Sequence, residues 1–180
     1  TYYSVYYDQS KSDLSDYEPY TLMNKLFISH RLSKVFAADA TASRTDSRQR
    51  DGIHVLSDYS ASVTARPLNT LLHTLRASKR TDEVVDHKTV TTYVNFNNAA
   101  TLYRGISLKL NFAEGDTTTD GRQTRDSSMI AGSTLLPFPA MTINLYYTAV
   151  DSRSTGGESQ DTSSKTKNTG TSLSYSPYET

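Results

Sequence analysis

Residues 101–112, TLYRGISLKLNF, contain the clearest example of the pattern that indicates the fold of this chain. After a short Arg-Gly turn, apolar side chains occupy every second position: Ile106, Leu108, Leu110 and Phe112. Polar side chains lie between them: Ser107, Lys109 and Asn111. Successive side chains of a β-strand point to opposite faces, so this alternation predicts a strand with one apolar and one polar face.

The same arrangement recurs along the chain, about every 36 residues. Five short turns mark it: HRLSKVF (30–36), RPLNTLL (66–72), LYRGISL (102–108), PFPAMTI (137–143) and SPYET (176–180). Longer polar segments lie between the turns: DQSKSDLSD (8–16), SRTDSRQRD (43–51), KRTDEVVDHK (79–88), EGDTTTDGRQTRD (114–126) and DSRSTGGESQDTSSK (151–165). Short turns alternating with long polar loops predict an up-and-down antiparallel meander whose two ends differ in chemistry.

The alternation is equally regular in three further segments: KVFAADATA (34–42), GIHVLSDYSASVTA (52–65) and MTINLYYTA (141–149). It predicts ten strands, at about 1–8, 17–30, 34–45, 52–66, 69–79, 88–102, 105–114, 125–136, 140–151 and 166–177. Most of these strands exceed the ~5–6 residues that are usual in soluble sheets, whereas a tilted membrane-crossing strand needs ~9–11. The lengths favour an all-β transmembrane barrel, with residues 1–180 forming a single domain of five hairpin repeats.

Composition narrows the class of protein. Hydrophobic residues make up only 36% of the 180 residues, and the mean hydropathy is -0.57. Both values are low for a helical membrane protein but not for a barrel, in which every second strand residue faces a polar interior. Lys and Arg balance Asp and Glu at 19 each, so no overall basic field indicates a nucleic-acid partner. The absence of cysteine excludes disulfide frameworks and thiolate metal sites.

The polar faces of the predicted strands carry isolated charges and amides. A Lys or Arg on the lipid face at mid-bilayer would cost ~2–4 kcal/mol, so such side chains should face the interior of the barrel. Eight residues are predicted to line the lumen: Lys25, Asp39, Asp58, Arg76, Asn95, Lys109, Asn111 and Asn144. The selectivity of a pore would then depend on its radius and on the field of these side chains.

No pattern predicts a catalytic or metal site. The chain has four histidines: His30, His54, His73 and His87. They are far apart in sequence, and none has metal-ligand spacing to another. Asp39 and Asp58 lie on the polar faces of neighbouring strands, but nothing else converges on them as an acid–base pair would require. Phosphate-binding loops and nucleophile motifs are absent, so we predict neither enzyme activity nor a cofactor.

The order of turns and loops also places the predicted termini. The first strand leads into a long loop and the tenth ends on a short turn, which puts both termini on the periplasmic side. Ten is an even number, consistent with closure. The last residues, SPYET, correspond to the point at which earlier repeats start another strand. This favours ten strands of a larger barrel over a complete one.

The repeats TLYRGISLKLNF, TARPLNTLLHTLRAS and LLPFPAMTINLYYTAVDSRS resemble the strand pairs of bacterial outer-membrane β-barrels of the porin type. In particular, they are similar to large barrels from anaerobic, metal-respiring bacteria, including the sheath porins of porin–cytochrome conduits. The resemblance covers essentially the whole chain, but in pattern rather than in an invariant motif. It implies that a multihaem cytochrome could occupy the lumen as a partner. The chain has no Cys-x-x-Cys-His motif, so any haem would belong to that partner.

The sequence therefore predicts a passive barrel in the outer membrane of a Gram-negative bacterium, in contact with its lipid. The first hypothesis is a porin or channel that forms a polar pore. The second is a structural sheath that encloses an electron-transfer or export protein. A third is a secreted adhesive β-rich protein with no membrane contact. The apolar faces could also form the core of a soluble sandwich or of a β-solenoid, although the long, evenly repeated strands argue against both.

Overall fold

A computed structural model describes residues 2–9, 20–49, 52–156 and 160–176. These residues form ten strands: β1 (Tyr2–Gln9), β2 (Tyr20–Arg31), β3 (Phe36–Gln49), β4 (Gly52–Leu68), β5 (Leu71–Val84), β6 (His87–Tyr103), β7 (Ile106–Thr119), β8 (Arg122–Phe138), β9 (Met141–Thr155) and β10 (Thr162–Tyr175). All ten strands predicted from the sequence are confirmed. The fold is all-β, and no helix occurs in the described ranges.

The ten strands form one antiparallel sheet in which each strand pairs with its sequence neighbours, in the order β1 to β10. This confirms the predicted up-and-down meander. The sheet is not closed, however. No pairing joins β1 to β10 in the described part of the chain, so the predicted barrel closure is not observed. The two edge strands differ in size, because β1 has 8 residues and β10 has 14.

Two of the predicted polar loops are wrong. Residues 79–88 form the ends of β5 and β6 around a tight turn at Val85 and Asp86, and residues 114–126 form the ends of β7 and β8. Apart from Val84, these strand ends carry polar residues on both faces and give no contrast between the faces, so the pattern resembles that of a hydrated loop. Their ladders project as regular hairpins beyond the apolar part of the sheet.

The other three predicted loops have different outcomes. Residues 43–49 continue β3, the segment 151–155 continues β9 and residues 162–165 begin β10, so the loop prediction is wrong for these residues. Asp8 and Gln9 of the predicted loop 8–16 belong to β1, and its other residues lie outside the described part of the chain. The predicted turn SPYET also falls outside that part, apart from Ser176.

Each short turn repeats one backbone hydrogen bond. The carbonyl oxygen of the last turn residue accepts a hydrogen bond from a backbone N–H. That N–H belongs to a residue at the end of the second strand after the turn. The pairs, with their N–O distances, are Val35 and Arg66 (2.8 Å), Thr70 and Thr101 (2.8 Å), Gly105 and Leu136 (2.7 Å), and Ala140 and Ser176 (2.9 Å). The pairing register shifts at the same place in β4, β6 and β8. Pro67 and Pro137 lie in two of these irregular positions, where a missing amide breaks no ladder bond.

The register sorts the side chains into two faces, because directly opposed residues of neighbouring strands share a face. Ala40 faces Ile28 on one side and Ala61 on the other. We call this side the apolar face. The apolar side chains that occupy the half of this face on the side of the short turns are called the apolar band. From β2 to β9 the band comprises Leu26, Ile28, Ala38, Ala40, Ala42, Tyr59, Ala61, Val63, Leu75, Ala77, Val94, Phe96, Leu108, Leu110, Phe112, Met129, Ala131, Ile143, Leu145, Tyr147 and Ala149. The predicted alternation of faces in these strands is confirmed.

The sheet has almost no interior. Among the described residues only Ala113 and Asn95 are buried, at 6% and 8% exposure. The exposed large side chains of the apolar band range from 37% exposure at Leu26 to 52% at Tyr59. The accessible surface is 12957 Å², compared with about 8,700 Å² for a compact monomer of this mass. No second layer of the described chain covers either face.

Candidate functional site on the polar face

All eight residues predicted to line a lumen lie on the face opposite the apolar band, which we call the polar face. One row of opposed residues runs from Asp39 through Ser62, Arg76 and Asn95 to Ala113. A parallel row begins with Lys25, Ser43, Asp58 and Arg80. Lys109, Asn111 and Asn144 occupy the same face in β7 and β9.

A chain of amides lies at the centre of this face. The Nδ2 group of Asn95 donates to the backbone carbonyl of Phe112 at 3.3 Å. Asn97 donates to Oδ1 of Asn95, and Asn111 donates to Oδ1 of Asn97. Since each amide uses one N–H in this chain, each keeps a second donor. Asn95 is one of the two buried residues in the described part of the chain, and its hydrogen bonds explain how a polar group is tolerated there.

Lys109 stands beside this amide chain in a cleft of about 350 Å³. Its direct neighbours across the sheet are Ala99 and Gly132, which leave space on both sides of the lysine. Apolar and aromatic walls come from Leu72, Ile130 and Tyr146. Among the residues that the structure describes, no carboxylate pairs with Lys109. The cleft therefore combines an uncompensated cation with apolar walls.

The two acidic residues predicted to line a lumen, Asp39 and Asp58, lie at a distance from this cleft. Asp39 accepts a hydrogen bond from Ser62 at 3.5 Å, and Asp58 lies opposite Ser43 and Arg80. Asp39 and Asp58 are offset by four residues along the ladder, or ~13 Å, so they do not form a carboxylate pair. Asp39 and Asp58 occupy β3 and β4, whereas Arg76 and Lys109 occupy β5 and β7.

Two tyrosines of the polar face lie over glycines of the neighbouring strand. Tyr146 faces Gly170 of β10, and a Cβ added to Gly170 would overlap the far end of the Tyr146 ring. Tyr93 faces Gly115 in the same way, with its Cδ2 3.4 Å from such an added Cβ. An aromatic ring that covers a glycine protects backbone that would otherwise face solvent. The glycine fixes the place of each ring.

Asn144 lies apart from the central amides. Its Oδ1 accepts from Thr134 at 2.9 Å, and its Nδ2 donates to Ser172 at 3.3 Å. It therefore links three strands rather than joining the Lys109 cleft. Two residues of the central cluster, Asn97 and Tyr146, were not among the eight predicted. Their alternation already placed them on the polar face, but only the register brings them next to Lys109.

The histidines occupy separate environments. His73 lies on the apolar face, where its Nδ1 is 3.0 Å from Nδ2 of Asn98 and its ring stacks on Phe96. His87, at the polar end of the sheet, bonds through Nδ1 to Oδ2 of Asp120 at 2.6 Å. This hydrogen bond and the charge of Asp120 raise the pKa of His87. The same bond lowers the pKa of Asp120, with help from the Lys88 amide.

Charged pairs concentrate on the apolar face just beyond the band. Arg125 contacts Asp116 at 2.9 Å, Lys165 contacts Asp151 at 3.3 Å, and Arg44 contacts Asp46 at 3.0 Å. The apolar face therefore changes from hydrocarbon to charge over one or two residues.

The described residues contain no group of three or more His, Cys, Asp or Glu side chains that could hold a metal ion. No helix in the described ranges is long and apolar enough to span a membrane. No protein-family model matches the sequence, and no curated protein matches it.

Proposed function

We propose that this sheet crosses a bacterial outer membrane, with its apolar band in contact with lipid, and forms the wall of a polar passage. The observation that carries the proposal is the uncovered apolar band. Contiguous apolar patches of a monomeric soluble protein rarely exceed a few hundred Å². The band extends across eight consecutive strands, from β2 to β9, and lipid would cover it without a second protein layer.

The height of the band supports this proposal. In β9 the apolar side chains of this face extend from Met141, beside the short turn, through the band to Ala149, a path of ~26 Å at ~3.3 Å per residue. With a strand tilt of ~40°, the height would be ~20 Å, near the ~25 Å apolar band of outer-membrane barrels. Beyond the band the same face turns charged, at Arg44, Lys79, Glu114, Asp151 and Lys167. Such a boundary is expected where strands leave the hydrocarbon.

The difference between the two ends gives an orientation. Tight turns next to the band would face the periplasm, and the long polar hairpins would project outward from the cell. The lengthened strands strengthen this assignment, because β5 to β8 continue several residues past the band before they turn. An antiparallel ladder remains satisfied in water as well as in lipid.

The edges of the sheet must be paired for the proposal to hold, because an unpaired edge in lipid leaves backbone groups without partners. Neighbouring strands alternate in direction, so β1 and β10 run in opposite directions and could pair as an antiparallel closure. The same edges could pair with further strands in a larger barrel. Either arrangement turns the polar face inward.

A second candidate is a sleeve around a protein partner, such as an electron-transfer protein. It is favoured by exposed apolar side chains on the polar face: Met23, Tyr93, Ile130, Tyr146 and Val150. In a water-filled pore these side chains would stay exposed to water, whereas a partner in the lumen could bury them.

Single-channel recording in planar lipid bilayers tests the first candidate. A passage lined by the polar face predicts discrete conductance steps, and no steps in any preparation of folded protein would contradict it and favour the sleeve. The variants Arg76→Glu and Lys109→Glu should shift the reversal potential in a salt gradient toward cation preference. The matched control Lys79→Glu, on the apolar face, should leave it unchanged. An equal shift in the control would contradict the proposed orientation of the faces.

A further inference from the structure

We propose that the Lys109 cleft is a binding site for a small carboxylate that carries a planar or apolar body. The site would hold solute on its way through the passage, so in its biological role the inference rests on the proposed function. The site itself depends only on residues of β5 to β10.

The cleft is shaped by the residues that flank the lysine. Ala99 and Gly132 lie directly opposite Lys109 in β6 and β8 and provide a low floor. Larger side chains rise around this floor from the next row and the next strands: Leu72, Thr74, Asn97, Asn111, Ile130 and Tyr146. The volume of about 350 Å³ falls in the range of ~300–1,000 Å³ that is usual for small-molecule sites.

The charge of the cleft selects an anion. Lys109 has no carboxylate partner in the described part of the chain, and the opposed residues of β6 and β8 are uncharged. By contrast, the pairs that neutralise one another, such as Arg125 with Asp116, lie beyond the band. The second N–H donors of Asn97 and Asn111 add hydrogen bonds at the edge of the cleft. A carboxylate satisfies both a point charge and amide donors.

The apolar and aromatic walls of the cleft favour a ligand whose uncharged part is planar or apolar. Tyr146 offers a ring face that is held in place by the contact with Gly170. Ile130 is 47% exposed on the same face, so its side chain is available for contact. A fully hydrated anion such as chloride would gain nothing from these walls. An aromatic or short aliphatic carboxylate would cover them while its charge meets Lys109.

Benzoate is a suitable probe, with neutral benzamide as its uncharged counterpart. Binding is measured by calorimetry or ligand-observed NMR on the full chain folded in detergent micelles. Wild type should bind benzoate about fivefold more tightly than benzamide. Lys109→Gln should lose that preference, and Lys109→Arg should retain it. The control Lys79→Gln lies on the apolar face and should bind as wild type does.

Folding of every variant is checked by circular dichroism, and the Lys109→Arg variant guards against a loss that is merely structural. Equal binding of benzoate to wild type and Lys109→Gln, or no binding to wild type, would overturn the inference. The test is independent of current through a pore. A protein that conducts but does not bind benzoate contradicts the site alone, and one that binds benzoate but does not conduct contradicts the passage alone.

Discussion

The amide of Arg66 donates to the carbonyl oxygen of Val35 at 2.8 Å, although 31 residues separate them in the chain. The same contact recurs 35 residues later between Thr101 and Thr70, and again between Leu136 and Gly105. The repeat of the sequence is therefore also a repeat of backbone geometry. Each short turn is fastened to the end of the second strand that follows, which fixes the register of the hairpin pair.

Gly105 should be the least replaceable residue of its turn. It has a φ of +86°, and an added Cβ would lie 2.6 Å from the carbonyl oxygen of Leu136. Gly105→Ala therefore combines backbone strain with a clash against rigid backbone. We expect it to lower the free energy of unfolding by about 2–4 kcal/mol.

Gly121→Ala is the matched control for that substitution. Gly121 has a φ of +83°, but no atom lies within 4 Å of the added Cβ. Backbone strain alone should cost about 1–2 kcal/mol. Denaturant unfolding in detergent measures both variants. Equal losses would contradict the close approach of Gly105 to Leu136.

Gly132 and Gly170 both lie opposite Tyr146, but replacing them by alanine should have different effects on stability, because the Tyr146 ring lies over Gly170. Gly170→Ala places a Cβ within the space of the ring and forces the side chain to move, at a cost of about 1–2 kcal/mol. Gly132→Ala places a Cβ whose nearest atom is the Leu145 carbonyl oxygen at 3.8 Å, so it should be neutral or slightly stabilising. Thermal unfolding compares them, and a larger loss of stability in Gly132→Ala than in Gly170→Ala would contradict the observed position of the ring.

The pair of His87 and Asp120 should give the polar end of the sheet a pH dependence. The pKa of His87 is raised above 6.5, so its contribution to stability is complete below pH 6.5 and is lost as pH rises through the raised value. The pKa of Asp120 is lowered below 3.8, so its contribution is complete above pH 3.8 and is lost as pH falls through the lowered value. Between these limits both groups are charged and the pair is strongest.

NMR titration of the His87 ring measures this effect directly. Asp120→Asn keeps a residue that tolerates the φ of +47° found there but removes the charge. The pKa of His87 should then fall back toward 6.5. An unchanged titration in Asp120→Asn would show that the ion pair does not form.

Charge insertion should distinguish the two faces. Ala61→Arg places a cation in the middle of the apolar band, where lipid would penalise it by about 2–4 kcal/mol. Ser60→Arg places the same cation one residue away on the polar face and should cost far less. Folding yield into lipid vesicles and unfolding by urea compare the pair. Similar losses for both variants would contradict a lipid-facing band.

The alternation of apolar and polar residues within short segments was enough to predict the strands and their faces. Leu108 and Lys109 differ so sharply in polarity that only one assignment of faces is possible, and the eight predicted residues accordingly share a face. The ends of the strands were harder to predict. Thr117 pairs with Thr91 and Thr124 in a regular ladder, but a run of polar residues has no face contrast to reveal it.

Contacts that depend on register could not be predicted from single segments. Tyr146 and Gly170 are 24 residues apart, and a shift of one residue would move the glycine to the other face. The cleft at Lys109 depends in the same way on Ala99 and Gly132 lying opposite it. The number and direction of the strands are consistent with closure, but they do not by themselves bring β1 to β10.

Whether the chain needs an amphiphile to fold is the decisive test of a lipid-facing apolar band. The full chain is refolded with and without detergent, and each sample is examined by circular dichroism, analytical ultracentrifugation and migration on a detergent gel before and after heating. The account predicts β-structure and heat-modifiable migration only with detergent, and aggregation without it. A folded, monodisperse monomer in plain buffer would contradict it.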